Sequence, residues 1–116
     1  MADNRKYYYL KLKENFFDSD SIVLLEDMKD GILYSNILLK LYLKSLKNGG
    51  RLQLDEHIPY TAQMIATLTR HQIGTVERAL AIFQQLGLVE QLDCGLLYMT
   101  DIELMIGQSI SMQFFA

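Results

Sequence analysis

Between Thr61 and Asp101 the chain passes through two amphipathic periods and then two alternating runs, an order that few folds accept. In the first period Ala62, Ile65, Ala66 and Leu68, with Met64 alongside, form a stripe near the helical repeat, and Thr61 precedes it as a side-chain N-cap. Tyr60, just ahead of that cap, is placed to pack on Ile65 and fix the angle at which the chain enters. The second period sets Val76, Ala79, Leu80, Phe83 and Leu86 on one face, predicting a helix over Gln72–Leu86 with Gly87 as its left-handed stop. Its opposite face is expected to carry Thr75, Glu77, Arg78, Ala81, Gln84 and Gln85. Leu88–Leu92 and Leu96–Tyr98 are of strand length, and Cys94-Gly95 suits the tight turn between them. The order is therefore a helix-turn-helix over about 61–86 and a hairpin, the wing, over about 88–100. The class this implies is mostly α with a small antiparallel sheet, a winged helix-turn-helix.

The flanking segments fit around that core. Tyr7–Lys13 alternates, with Tyr8, Leu10 and Leu12 on one face, as a half-buried strand does. Asp18-Ser19-Asp20 can cap a helix over Ile22–Met28 that shares the face of Ile22, Leu25 and Met28, and Asp30-Gly31 is expected to end it. The stretch Ile32–Leu46 is more apolar than a helix packed on one side needs to be; its polar residues reduce to the stripe Asn36, Lys40, Lys44 and Lys47. Such a helix is either central to the core or shared with another subunit. After Asn48-Gly49-Gly50, Arg51–Leu54 reads as a short strand that pairs with the wing, and residues 55–59 as a connection in which Pro59 sets a bend. Beyond the wing, Asp101 is expected to cap a short helix through Ile106, with Gly107 at its end and an apolar tail over 108–116 that docks on the domain or on a neighbour.

Length and composition narrow the functions available. With 116 residues, half of them hydrophobic, residues 1–107 suffice for a single domain with one core. No apolar run is long enough to span a bilayer, the first residues lack the apolar stretch of a signal peptide, and one cysteine makes no internal disulfide, so a cytoplasmic protein is expected. The 14 acidic against 11 basic residues argue against indiscriminate binding to polyanions. Their order matters more: every lysine and arginine lies at or before Arg78, whereas Glu90, Asp93, Asp101 and Glu103 all follow it. A wing of that sign is unsuited to gripping phosphates.

Several segments together resemble the N-terminal domain of phage replisome organisers, proteins related to the primosomal protein DnaD. They are YYYLKLKENFFDSD, DGILYSNILLKLYLKSLKNGGRLQL, HIPY and GTVERALAIFQQLGLVE, and the similarity runs from about Tyr7 to Gly107. The resemblance implies a winged-helix domain acting at the start of phage or prophage DNA replication, with origin DNA and helicase-loading proteins as partners. Such proteins often carry a further region that engages both; the sequence stops at Ala116.

For DNA reading, the second helix of the motif would enter the major groove. Gln72, Thr75 and Arg78 are then the base readers, with Arg70 and His71 at the turn facing phosphate; arginine pairs with guanine and glutamine with adenine, while Glu77 opposes the approach. Lys40, Lys44 and Lys47, with Arg51 near in sequence, form a second basic feature, which is either the wet side of a helix or a phosphate track. An assembly reading rests on Tyr7–Tyr9, Phe16, Phe17, the broad apolar face of residues 32–46 and the Phe114-Phe115 end, and favours self-association; its alternative is an ordinary monomer core. A small transcriptional regulator is a third possibility, distinguished by binding a promoter rather than origin repeats. Catalysis, metal and cofactor are not expected: His57, His71 and Cys94 lack zinc-ligand spacing, and Gly49-Gly50 lacks the lysine of a phosphate loop.

Overall fold

The most apolar segment of the chain becomes the axis of the molecule. In a computed structural model, which describes residues 6–110, helix α2 (Gly31–Ser45) buries Tyr34, Ile37, Leu38, Leu41 and Tyr42, and the other helices pack around it. Helix α1 (Asp20–Asp27) adds Ile22 and Leu25 from one side. From the other side come α3 (Ala62–Thr69), through Ile65 and Ala66, and α4 (Ile73–Gln85), through Val76, Ala79, Leu80 and Phe83. Of the two roles open to the segment 32–46, the central one is thus observed. Its surplus apolar residues Ile32, Leu33 and Leu43 nevertheless stay exposed, as does Met28, which was expected to share the face of Ile22 and Leu25.

Local signals account for most helix ends. Thr61 Oγ1 accepts from Met64 N at 3.1 Å, as its cap position requires. Gly87, at φ 74°, closes α4 with the paired hydrogen bonds of a Schellman motif, Leu88 N to Phe83 O and Gly87 N to Gln84 O. Ser19 occupies the N-cap of α1, but its hydroxyl donates backward to Phe16 O in the preceding 3₁₀ turn, Phe16–Asp18. Asp30-Gly31 does more than end α1. Asp30 stands in the left-handed region as the first residue before α2, and Gly31 lies so close to α1 that an added Cβ would sit 2.5 Å from the carbonyl oxygens of Leu25 and Glu26.

The strands form three two-stranded antiparallel ribbons. The wing is β4 (Val89–Gln91) against β5 (Leu97–Met99), in register Val89↔Met99, Glu90↔Tyr98 and Gln91↔Leu97, turning through Asp93-Cys94-Gly95. Its other edge is met by Gly50–Leu52, through the bridge Arg51↔Tyr98 and the hydrogen bonds Leu52 N to Leu97 O and Met99 N to Gly50 O. The expectation that Arg51–Leu54 pairs with the wing holds for its first two residues only. Gln53–Asp55 (β2) turns back on Ile58–Pro59 (β3), a small hairpin in residues read from sequence as a connection. Pro59 is tolerated there because β3 is an edge that needs no further donor.

The third ribbon corrects two expectations at once. Strand β1 is Lys6–Leu10, shorter than the predicted Tyr7–Lys13, and its partner is β6 (Ile106–Ile110), where a helix end and the start of a tail were expected. Asp101 opens only the 3₁₀ turn Ile102–Leu104. Gly107 is no helix stop. It stands opposite Tyr9, whose ring lies over the space where a Cβ would be. The predicted alternation holds within the ribbon, with Tyr8 and Leu10 packed on the core and Tyr7 and Tyr9 exposed. The expected docking of the tail through Met112, Phe114 and Phe115 falls on residues outside those described.

Candidate nucleic-acid interface

The α3–α4 turn is three residues long, Arg70-His71-Gln72, and each residue is held differently. Arg70 is exposed and takes φ 62°, the left-handed conformation in which glycine would be cheaper by about 1 kcal/mol. His71 N closes α3 on Ala66 O, and its ring Nε2–H donates to Asn36 Oδ1 at 2.8 Å. Burial of the imidazole, with the nearby Lys40 cation, holds its pKa below the ordinary histidine value. Gln72 is the N-cap of α4 by position, but its side chain makes no capping bond and is exposed.

Lys40 is not a free cation. Its Nζ donates to Thr69 O at 2.7 Å, so the α2 residues Asn36 and Lys40 brace the turn from behind: one holds the His71 ring, the other a terminal carbonyl of α3. Lys44, one helical turn further along α2, and Lys47 are exposed. The polar stripe read from sequence thus has two jobs, half structural and half solvated.

On α4 the outward placement expected for Thr75 is corrected: its side chain is only 7% exposed. The cause is that α4 packs against both α2 and α3, which widens its buried arc beyond the Val76–Phe83 stripe. A signal existed, since Thr75 precedes Ala79 and Phe83 by four and eight residues, on one row of the helix. Arg78 projects toward the start of α2, with Nε 3.4 Å from the Tyr34 hydroxyl, Nη2 3.5 Å from Thr75 Oγ1 and 3.7 Å from Asp30. Its side chain remains more than half exposed, so this is a resting position rather than a buried lock. The outward face of α4 then consists of Ile73, Glu77, Ala81, Gln84 and Gln85, all exposed.

Sequence reasoning missed Gly74. It lies in the first turn of α4, where a Cβ would meet only the Arg78 guanidinium, at 3.5 Å. Packing does not require a glycine there, and in a helix it is less favourable than alanine. Its lack of a side chain leaves the part-exposed first turn of α4 with no β-carbon beside the Arg78 guanidinium.

The wing has the opposite electrostatic character. Glu90, Asp101 and Glu103 surround Tyr98, and burial of its phenol, reinforced by Glu103 and Glu90, raises its pKa above the ordinary value. Cys94 is exposed in the hairpin turn and His57 in the β2–β3 turn; no group of three or more histidine, cysteine or acidic side chains able to hold a metal occurs among the described residues. Nor is any helix among them long and apolar enough to cross a membrane.

Four helices with small antiparallel ribbons, in the order helix, turn, helix and hairpin, define a winged-helix-like domain. The chain belongs to the N-terminal phage replisome organiser family, whose model matches residues 9–113, nearly the whole length. That membership gives it a role in the initiation of phage DNA replication. Comparison with curated proteins and with solved structures gives no significant match.

Proposed function

We propose that the domain binds double-stranded origin DNA through the α3–α4 turn and the first turns of α4. The observation that carries this reading is the start of α4, where part-exposed Gly74 sets no side chain over the helix N-terminus and exposed Arg70 and Gln72 stand just ahead of it. Arg70 keeps a conformation that costs stability at this same point, as residues at binding sites often do. Phosphate would meet Arg70 and the amides of α4, while Gln72 and Arg78, released from Asp30, would reach base edges. His71, Lys40 and Thr75 then position the turn instead of touching DNA.

The test is fluorescence anisotropy of a labelled origin duplex against scrambled DNA at several salt concentrations. Binding is expected to be saturable and salt-sensitive, with a preference for the origin, and Arg70→Ala is expected to flatten the salt dependence by about one unit. Gly74→Ala gives a sharper check. It is expected to stabilise the fold by about 0.5 kcal/mol through helix propensity while weakening DNA binding. Stabilisation with unchanged affinity would remove the start of α4 from the interface.

A second reading, that the domain is an assembly scaffold of the initiation complex, is favoured by the outward face of α4. Ile73, Glu77 and Ala81 present no cation there, and the wing is acidic. In that case origin DNA is not bound even at low salt, and sedimentation reports a self-associated species.

A further inference from the structure

Behind the hairpin, the wing and the 3₁₀ turn that follows it enclose a cleft of about 360 Å³ lined by Glu90, Tyr98, Thr100, Asp101, Glu103 and Leu104. Three of these six side chains are carboxylates and none is a lysine or arginine, although Arg51, bridged to Tyr98, opposes the carboxylates at that phenol. The cross-strand pair Glu90↔Tyr98 sets the first carboxylate beside the phenol, and the left-handed Asp101, φ 61°, turns the chain so that Glu103 and Leu104 face it. Leu104 is 74% exposed, more than any other large apolar side chain among those described. At the same place the Thr100 hydroxyl is withdrawn from water and has no hydrogen-bond partner, the one such buried side-chain atom among the described residues.

We infer that this cleft is a docking site for a basic, leucine-bearing segment of a protein partner, held by Glu90, Asp101 and Glu103 around an apolar contact on Leu104. Charge selects the occupant. Duplex DNA is repelled by three carboxylates, whereas arginine or lysine heads find exposed acceptors in them. The leucine of the segment covers Leu104, which otherwise stands in water. The site shares no residue with the α3–α4 turn or with α4, so it stands or falls independently of DNA reading.

The experiment is a titration of the ¹⁵N-labelled chain, followed by NMR, with the blocked peptide acetyl-Leu-Arg-Ala-Leu-Arg-amide. Its acidic counterpart, acetyl-Leu-Glu-Ala-Leu-Glu-amide, is the control. The expected result is saturable shifts at Glu90, Tyr98 and residues 100–104 with the basic peptide only, weakened about fivefold by the double variant E90Q/E103Q, as two surface ion pairs allow. Leu104→Ala, a change at an exposed position that leaves the core intact, is expected to weaken binding about threefold. Shifts scattered over all acidic residues, or binding indifferent to these variants, would overturn the inference. Two further outcomes would overturn it by naming another occupant: tighter DNA binding by E90Q/E103Q would place the wing against phosphate, and a change in its sedimenting mass would make the occupant a second copy of the chain.

Discussion

Three of the described glycines, Gly31, Gly50 and Gly107, pack too tightly for a Cβ, and the first and last differ in what can yield. At Gly31 the obstruction is backbone, the carbonyls of Leu25 and Glu26 at 2.5 Å, which move only if α1 moves off α2. Gly31→Ala is therefore expected to cost about 2–3 kcal/mol, the range for overpacking a core, seen as a lower urea midpoint. At Gly107 the obstruction is the ring of Tyr9, which is 49% exposed and free to rotate away. Gly107→Ala is expected to cost less than about 1 kcal/mol, and an equal cost for both would show that the β1–β6 ribbon is as rigid as the helix contact. Neither constraint was legible in the sequence, because each is an approach between segments. Thr61 and Gly87 were legible, because a cap and a Schellman stop are satisfied within a few residues. His71 adds a pH dependence at this scale. Its folded pKa lies below the ordinary value of about 6.5, so the unfolded chain binds the proton more readily. The contribution of His71 to stability is complete above that value, declines as the pH falls through it, and levels off below the folded pKa. Urea midpoints measured from neutral pH to about pH 5 should fall for this reason, and His71→Gln should reduce the decline; an unchanged slope would assign it to other groups.

At the level of elements, helices were legible and their partners were not. Periodicity gave α3 and α4 to within a few residues, since an amphipathic stripe reports a helix packed on one side. It failed where a helix meets two neighbours. Thr75 was assigned to the outer face by polarity and is buried by the packing of α4 between α2 and α3. The stripe Asn36, Lys40, Lys44 and Lys47 was read as uniform, although tertiary contact divides it: the first two residues hold the α3–α4 turn, and the others are solvated. This division predicts unequal effects from one substitution. Lys40→Met removes a charged donor from Thr69 O and is expected to destabilise by about 1–2 kcal/mol. Lys44→Met, on the same helix, should stay within about 0.5 kcal/mol of the parent. Urea unfolding distinguishes the two, and a neutral Lys40→Met would mean that water replaces the ammonium at that carbonyl. The candidate interface was legible in the same partial way. Arg70 and Gln72 stand exposed at the turn as expected, but the openness of α4 at Gly74 has no signature apart from the structure around it.

Across the whole molecule, stability is expected to be uneven. The core is built from α2 with α1, α3 and α4, and the wing joins it through Val89 and Met99. The β1–β6 ribbon is attached differently. It pairs Lys6 with Ile110 and Leu10 with Ile106, bringing together segments almost a full chain length apart, which no local signal in Tyr7–Lys13 or after Asp101 could reveal. Its hold on the core comes from half-buried side chains, Tyr8, Leu10 and Ile106, where the helices contribute fully buried ones. A two-stranded ribbon is marginal by itself, so this limited packing decides how readily it opens. Native-state hydrogen exchange is therefore expected to divide the molecule. Amides in β1 and β6 should exchange through a sub-global opening that denaturant barely affects, whereas those of Ile37–Leu41 in α2 should exchange only through global unfolding. Tyr8→Ala should accelerate exchange in β6 as much as in β1, because the two strands lose their hydrogen bonds together. If both strands instead share the exchange free energy of α2, the ribbon belongs to the cooperative core, and burial of Tyr8 and Leu10 holds it more firmly than their exposure implies.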